Sequence, residues 1–261
     1  MRPDSVHAVI AVKHLDRAKS RLADRLPPGD RSRLVLAMLS DTVSAALAAG
    51  LGSVTVVTPD PAVTAAVAVL GADVHPDPAG TPRPLVNLAE PPDDTATAPI
   101  ATTPAPPTDT DTGLNIALSA GAAAVRARHG AVHLLALQAD LPALRPAELT
   151  DMLAAAPTGR AFVADHAARG TAALLIRDGT AALHPLFGGD SARRHRDSDA
   201  KELDGEWPGL RLDVDTEADL HRAVALGVGP ATAAALHAIG WPEHVHREHT
   251  RTFAMNHMCA G

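Results

Sequence analysis

The chain has 261 residues, a net charge of −7 and a sequence pI near 6.0, a size that suits one large α/β unit or two small ones. Hydrophobic residues make up 46% of it but aromatics only 2%, with no Tyr, so the core has to be built from Ala, Val and Leu, which pack helices closely on a sheet. The acidic balance argues against an overall nucleic-acid footprint, and the single Cys excludes internal disulfides and zinc-finger spacing. No signal-peptide pattern or long apolar run is visible, which predicts a soluble, cytoplasmic protein without a membrane partner.

In chain order, His7 to Val12 reads as a buried strand, followed by a charged turn from Lys13 to Arg25 and a break at Pro27-Pro28-Gly29-Asp30. Residues 31–49 carry Leu34, Met38, Leu39, Val43 and Leu47 at helical spacing, and Gly50 and Gly52 stop that helix. Ser53 to Thr58 is a strand, Pro61 to Leu70 a helix, and Ala72 to His75 a short strand, so the chain opens β-α-β-α-β. Residues 76–112 hold ten prolines among Thr, Ala and Asp without apolar periodicity; they cannot bury enough surface to offset chain entropy and are predicted to form a mobile insertion. Helix 114–128, strand 132–137, helix 146–155 and strands 161–164 and 171–176 follow. Residues 178–209 read as irregular, and a strand at 210–212 leads to a helix at 216–226 opened by the capping pattern Thr216-x-x-Asp219. A helix at 230–239 ends the core. The whole predicts one domain over residues 1–238 and a disordered tail over 239–261. That tail carries His244, His246, His249, His257 and Cys259 at a spacing that fits no zinc module.

The chemistry points to two segments. LLALQADLP, ending at Asp140, and LRLDVDT, holding Asp213 and Asp215, are apolar runs that stop at a carboxylate. In an open α/β sheet, ligands sit outside the carboxyl ends of strands. Two aspartates at one such edge make an oxygen-rich site for Mg²⁺, which takes carboxylates together with substrate phosphates. If the second strand ends near Asp213, then Asp213 faces the site and Asp215 serves the following helix. The turn after the first strand, KHLDRAKSRL, brings Lys13, Arg17, Lys19 and Arg21 close together. Lys supplies a point charge and Arg a fork for phosphate, and no GxxxxGK[ST] pattern is present. Gly170 permits close backbone approach and the Thr171 hydroxyl can bond a carboxylate or phosphate. The turn FGGDS opens a helix start, where the amides of Gly188 to Ser191 form an anion site. The Arg193-Arg194-His195-Arg196 run is a further phosphate-binding candidate, with His195 itself read as a surface residue.

These pieces in order, VKHLDRAKSRL, LLALQADLPAL, GTAAL, HPLFGGDSARRH and WPGLRLDVDTEADL, resemble the CofC-type guanylyltransferases over about residues 7 to 236, and most resemble the actinobacterial branch that acts on phosphoenolpyruvate in coenzyme F-420 biosynthesis. The resemblance implies a nucleotide-diphospho-sugar-transferase-like fold, a three-layer α/β/α sandwich around a mixed, mostly parallel sheet. It implies Mg²⁺-dependent joining of GTP to phosphoenolpyruvate, or to a related phospho-acid such as 2-phospho-L-lactate, with release of diphosphate. It puts Mg²⁺ on Asp140 and Asp213, the phospho-acid on Thr171, Gly188 and Ser191, and the nucleotide near Lys13, Lys19, Arg21 and Asn115. Lys19 and Arg21 would act in catalysis by offsetting charge on the leaving diphosphate. Two departures stand out: the 76–112 segment is long for the family, and Ala139 replaces a common Gly. Residue types alone leave open the phospho-acid, guanine over adenine, a monomer or a homodimer, and a non-catalytic nucleotide-binding role.

Overall fold

A computed structural model describes residues 5–15, 19–78 and 109–241. Seven strands form one sheet in the order β3-β2-β1-β4-β6-β5-β7. They are β1 Val6–Ala11, β2 Ser53–Thr58, β3 Asp73–Pro76, β4 His133–Leu137, β5 Gly159–Ala164, β6 Thr171–Arg177 and β7 Lys201–Glu202. β1 pairs in parallel with β2 and β4, and β2 with β3, whereas β6 runs antiparallel to both β4 and β5.

Alternation along the strands supplies two apolar faces. In β1, Ala8 and Ile10 join one core while Val9 joins the other; in β4, Leu135 and Leu137 face the first and Leu134 and Ala136 the second. Helices α1 Pro28–Ala48, α4 Pro146–Ala155, α7 Glu217–Leu226 and α8 Pro230–Ala238 cover the first face, together with α2 Pro61–Val69. α3 Asp109–His129 and α5 Ser191–Asp197 cover the second. The three-layer α/β/α arrangement with a mixed sheet is the architecture expected. Small residues make it work: a Cβ on Gly121 of α3 would collide with Val9 and Val57, so glycine there lets the helix lie directly on β1 and β2.

One predicted strand does not form. Residues 208–211 are a helical turn, α6 Pro208–Arg211, with the Arg211 amide bonded to the Trp207 carbonyl. The alternation that suggested a strand is real, since Leu210, Leu212 and Val214 are all buried. No ladder partner accompanies it. The segment is tied down at separate points instead: Val214 N–H donates to Asp140 O (3.1 Å) and His166 N–H to Arg211 O (2.7 Å). The Arg211 guanidinium adds bonds to the carbonyls of Gly205, Ala164 and Leu203. The region 178–209 also holds more order than its composition suggests, because it contains α5 and β7. The predicted insertion lies outside the described residues except at its ends. There Pro76 belongs to β3, Asp77 is buried, and α3 begins at Asp109. The His-rich tail lies outside them beyond Trp241. Among the described residues, no helix is long and apolar enough to cross a membrane.

Candidate functional site

Topology brings the candidate residues to one edge. β1 lies between β2 and β4, the place where strand order reverses and a crevice opens at the carboxyl ends. β4 delivers Asp140 there. Because β6 is antiparallel to β4, with Leu137 opposite Ala173, the start of β6 at Thr171 meets the end of β4. β5 is antiparallel in turn, so its carboxyl end, followed by Asp165, arrives at the same edge. The 212–215 segment crosses these ends, pinned to Asp140 and to His166 by the two backbone bonds above. This is how Asp213 reaches the edge without belonging to a strand.

The result is a cavity of about 660 Å³ lined by Lys19, Arg21, Gln138, Asp165, Arg169 and Thr171, and by Gly188 to Ser191, Asp213 and Asp215 among others. Of the predicted residues, Lys19, Arg21, Gly170, Thr171, Gly188, Ser191 and Asp213 line it directly. Asp140 meets it through Lys19.

Lys19 has a left-handed backbone (φ 54°), uncommon for a residue with a side chain, and its ammonium lies between Asp140 and Asp215. The bond to Asp140 is direct and that to Asp215 is 2.7 Å. Burial works against the charge, but the two carboxylates outweigh it and raise the Lys19 pKa above its ordinary value. Asp215 is held low by Lys19 and then Arg21, against the opposing effect of burial. The division expected of Asp213 and Asp215 is therefore corrected: both line the cavity. The helix is opened by Thr216 and Asp219, which form the capping box predicted for them (Thr216 N–H to Asp219 Oδ2 2.9 Å; Asp219 N–H to Thr216 Oγ1 3.2 Å).

Asp213 is the odd carboxylate. Among the described residues its buried Oδ1 has no hydrogen-bond partner, with only the His166 ring at 3.8 Å. Burial, followed by the charges of Asp140, Asp215 and Asp165, pushes it up to about 7, and Lys19 offsets this only in part. A buried carboxylate oxygen without a donor, among other carboxylates, is the environment a cation relieves. Among the described residues no cluster of three or more His, Cys, Asp or Glu would enclose a metal. Mg²⁺ needs no such cluster, since it is bound through one or two carboxylates and completes its shell with waters and substrate phosphates. Asp140 and Asp213 therefore fit the proposed ion.

Across the cavity, hydroxyls and backbone amides stand beside Asp165, Arg169 and Asp190. Gly188 has φ 118°, a conformation only glycine adopts without strain. Asp190 is left-handed as well. The Ser191 amide bonds back to Gly188 O (3.1 Å) and the Ala192 amide to Arg169 O (3.0 Å), so two of the amides near the expected anion site serve the turn itself. The Ser191 hydroxyl has no hydrogen bond within the described residues and faces the cavity. Thr171 Oγ1 lies 2.8 Å from Nδ1 of His195. His195 is corrected from a surface residue to a fully buried one. The Arg193–Arg196 run is directed at protein groups: Arg193 faces Asp197, Arg194 bonds the Phe187 carbonyl, and Arg196 pairs with Glu202.

Two predicted residues, Lys13 and Asn115, stand apart from the cavity wall. Lys13 bonds Asp77 (2.7 Å) and the Gly113 carbonyl (3.3 Å), joining the ends of β1 and β3 to α3. Asn115 grips the Phe187 backbone from both sides, Nδ2 to O at 3.0 Å and Oδ1 from N at 2.9 Å. Gly170 does line the cavity, and it also closes on Asp165: its amide donates to Asp165 Oδ2 (2.9 Å), and a Cβ would strike that carboxylate. Ala139 needs no positive φ, so the replacement of Gly is tolerated. Sequence reasoning missed Asp165, Gln138 and Arg169. Asp165 carried a usable signal, because it follows the apolar run Phe162-Val163-Ala164 as Asp140 follows Leu134 to Leu137.

The chain is similar to known proteins. The chain is 57% identical over 248 residues to a phosphoenolpyruvate guanylyltransferase of Nocardia farcinica, covering 94% of this chain and 97% of that one. It is 50% identical over 233 residues to one of Rhodococcus erythropolis, covering 88% and 95%. A solved structure from Desulfovibrio desulfuricans, classed as a nucleotide-diphospho-sugar transferase, superposes with a TM-score of 0.59 at 12% identity, over 91% of this chain and 96% of that one, and bears on the fold alone. No protein-family model matches.

Proposed function

The chain belongs to the phosphoenolpyruvate guanylyltransferase family and is a nucleotidyltransferase; from that premise we propose that it transfers GMP from GTP to phosphoenolpyruvate with release of diphosphate. Mg²⁺ would be held by Asp140 and Asp213, and the reaction would belong to coenzyme F-420 biosynthesis in the cytoplasm. Residues 1–238 would form the one transferase domain. The observation that carries this reading is the Asp213 side chain, whose Oδ1 is buried without a donor among the described residues and which is crowded by like charge, beside a cavity whose other wall offers hydroxyls and backbone amides.

A phosphate oxygen of the acceptor attacks the α-phosphorus of GTP, the bond between the α-phosphorus and the bridging oxygen breaks, and diphosphate leaves with that electron pair. The acceptor phosphate is already anionic, so no base has to remove a proton, and catalysis rests on alignment and charge neutralisation. When bound, the divalent cation withdraws negative charge from the triphosphate. Lys19 and Arg21 sit on the side where Asp215 holds them (2.7 and 3.9 Å), suited to the leaving diphosphate. Thr171, Gly188 and Ser191 form the acceptor wall. Asn115 and Lys13 support this reading from behind, by fixing the loop at Phe187 and the mouth at Gly113.

The test is a diphosphate-release assay that crosses GTP and ATP with phosphoenolpyruvate, 2-phospho-L-lactate and 3-phosphoglycerate in the presence of Mg²⁺. The reading expects the highest kcat/KM for GTP with phosphoenolpyruvate. Release that is faster with ATP, or with another acceptor, would replace that part of the assignment.

A further inference from the structure

His195 has two ring nitrogens with different partners. It is fully buried on α5, tilted against Phe162 (centroids 5.7 Å) and edge-on to Phe187 (5.3 Å). Nε2 lies 3.0 Å from the Leu186 amide. A peptide N–H only donates, so Nε2 must present its lone pair. Burial, then the nearby Arg160 and Arg194 cations, lower the ring's pKa to about 4, with the Ser191 carbonyl opposing in part. A neutral ring with a bare Nε2 carries its proton on Nδ1. Nδ1 therefore donates to Thr171 Oγ1 across 2.8 Å, and the hydroxyl's own proton cannot point back at the ring.

We propose that His195 is a positioning residue: by donating to Thr171 Oγ1, it sets the Thr171 hydroxyl as a proton donor into the cavity for an anionic acceptor group. With the opposite tautomer, Thr171 would donate to the ring and turn a lone pair toward the anion, which is repulsive. The Leu186 amide selects the first arrangement before any ligand arrives, so no hydroxyl reorientation is needed on binding. The inference rests on the reading of Thr171 as an acceptor contact.

The experiment has two arms on the full chain. In the first, two-bond ¹H–¹⁵N correlation of ¹⁵N-histidine protein at pH 7.5, with His195→Asn to assign the signal, should show a proton on Nδ1 and none on Nε2. A ring protonated on Nε2, or on both nitrogens, overturns the inference whatever the acceptor is. The second arm compares His195→Asn, whose amide keeps a donor near Nδ1, with His195→Gln, which keeps an acceptor near Nε2 but loses that donor. The Gln variant should raise the KM for phosphoenolpyruvate roughly tenfold while the KM for GTP stays within about twofold, and the Asn variant should fall between it and the wild type. In a Thr171→Val background the His195→Gln effect should disappear. Equal losses in both His195 variants with a matching rise in the KM for GTP would reduce His195 to a packing residue. The predicted tautomer together with an unchanged phosphoenolpyruvate KM in Thr171→Val alone would instead remove Thr171 from the acceptor site.

Discussion

The two walls of the cavity meet their ligands in opposite states. On one wall, Asp140 and Asp215 share the Lys19 ammonium, and beside them one buried oxygen of Asp213 has no donor among the described residues. On the other, Thr171, His195 and Leu186 are joined donor to acceptor, and Asn115 does the same for the Phe187 backbone. On the proposed reading a cation completes the first wall, where like charge is crowded, whereas the hydrogen bonds of the second are set in advance. A transferase that brings two anions together needs both kinds of surface, one to neutralise and one to orient.

Substitutions that treat the walls differently sharpen this contrast. Asp213→Asn should have the largest effect, lowering kcat/KM by roughly 10³-fold or more in diphosphate release, while making the metal-free protein more stable at pH 8. The sign follows from its raised pKa. The stability tied to protonated Asp213 is fully present below the unfolded carboxylate value of 3.8 and is lost as pH rises through about 7. The variant's gain, of order 1–3 kcal/mol, should thus appear in thermal melts at pH 8 and vanish near pH 4. A metal-free variant that melts lower than the wild type at pH 8 would contradict the frustrated wall.

Lys19→Met should cost about 2–4 kcal/mol, because it leaves Asp140 and Asp215 without their shared cation. Added Mg²⁺ should recover part of that loss, which melts with and without the ion would show. The wall of Thr171 and His195 responds to acid instead. With His195 lowered to about 4 from 6.5, its stability is present above pH 6.5 and lost as pH falls toward 4, about 2–3 kcal/mol in all; His195→Asn should flatten that limb of the pH–stability curve. Ser191→Ala is the mildest. Its hydroxyl bonds nothing in the described protein, so melting should be unchanged while the KM for phosphoenolpyruvate rises roughly tenfold.

Much of this was legible in the sequence where local physics is decisive. Asp140 follows a buried apolar run that can only be a strand, and Thr216-x-x-Asp219 announces its own helix. Asp213 was found through a pattern that meant something else: Leu210, Leu212 and Val214 do alternate in burial, yet the backbone bonds go to Trp207 and Asp140 rather than to a neighbouring strand. Alternation reports which side chains are buried, not what the amides bond to. His195 sits in a run of three arginines, and nothing local separates it from a surface histidine; its burial comes from Phe162 on β5 and Phe187 in the loop before α5, which the fold brings against its ring. Asp215 looked like a helix-opening residue because the carboxylate adjacent to a cap and the cap itself share a composition. Only the position of Lys19, brought in from nearly 200 residues away (|i−j| = 196), assigns it to the cavity.

The central claim is that Asp213 waits for a cation. It is tested most directly by titrating preformed Mg²⁺·GTP into the wild type and into Asp213→Asn at pH 6.5, by calorimetry in two buffers of different ionisation enthalpy. If binding forces Asp213 to ionise, the wild type should release up to one proton more than the variant, with that excess fading toward pH 8, and the variant should bind at least about tenfold more weakly. Equal affinity and equal proton release in the two proteins would contradict the account.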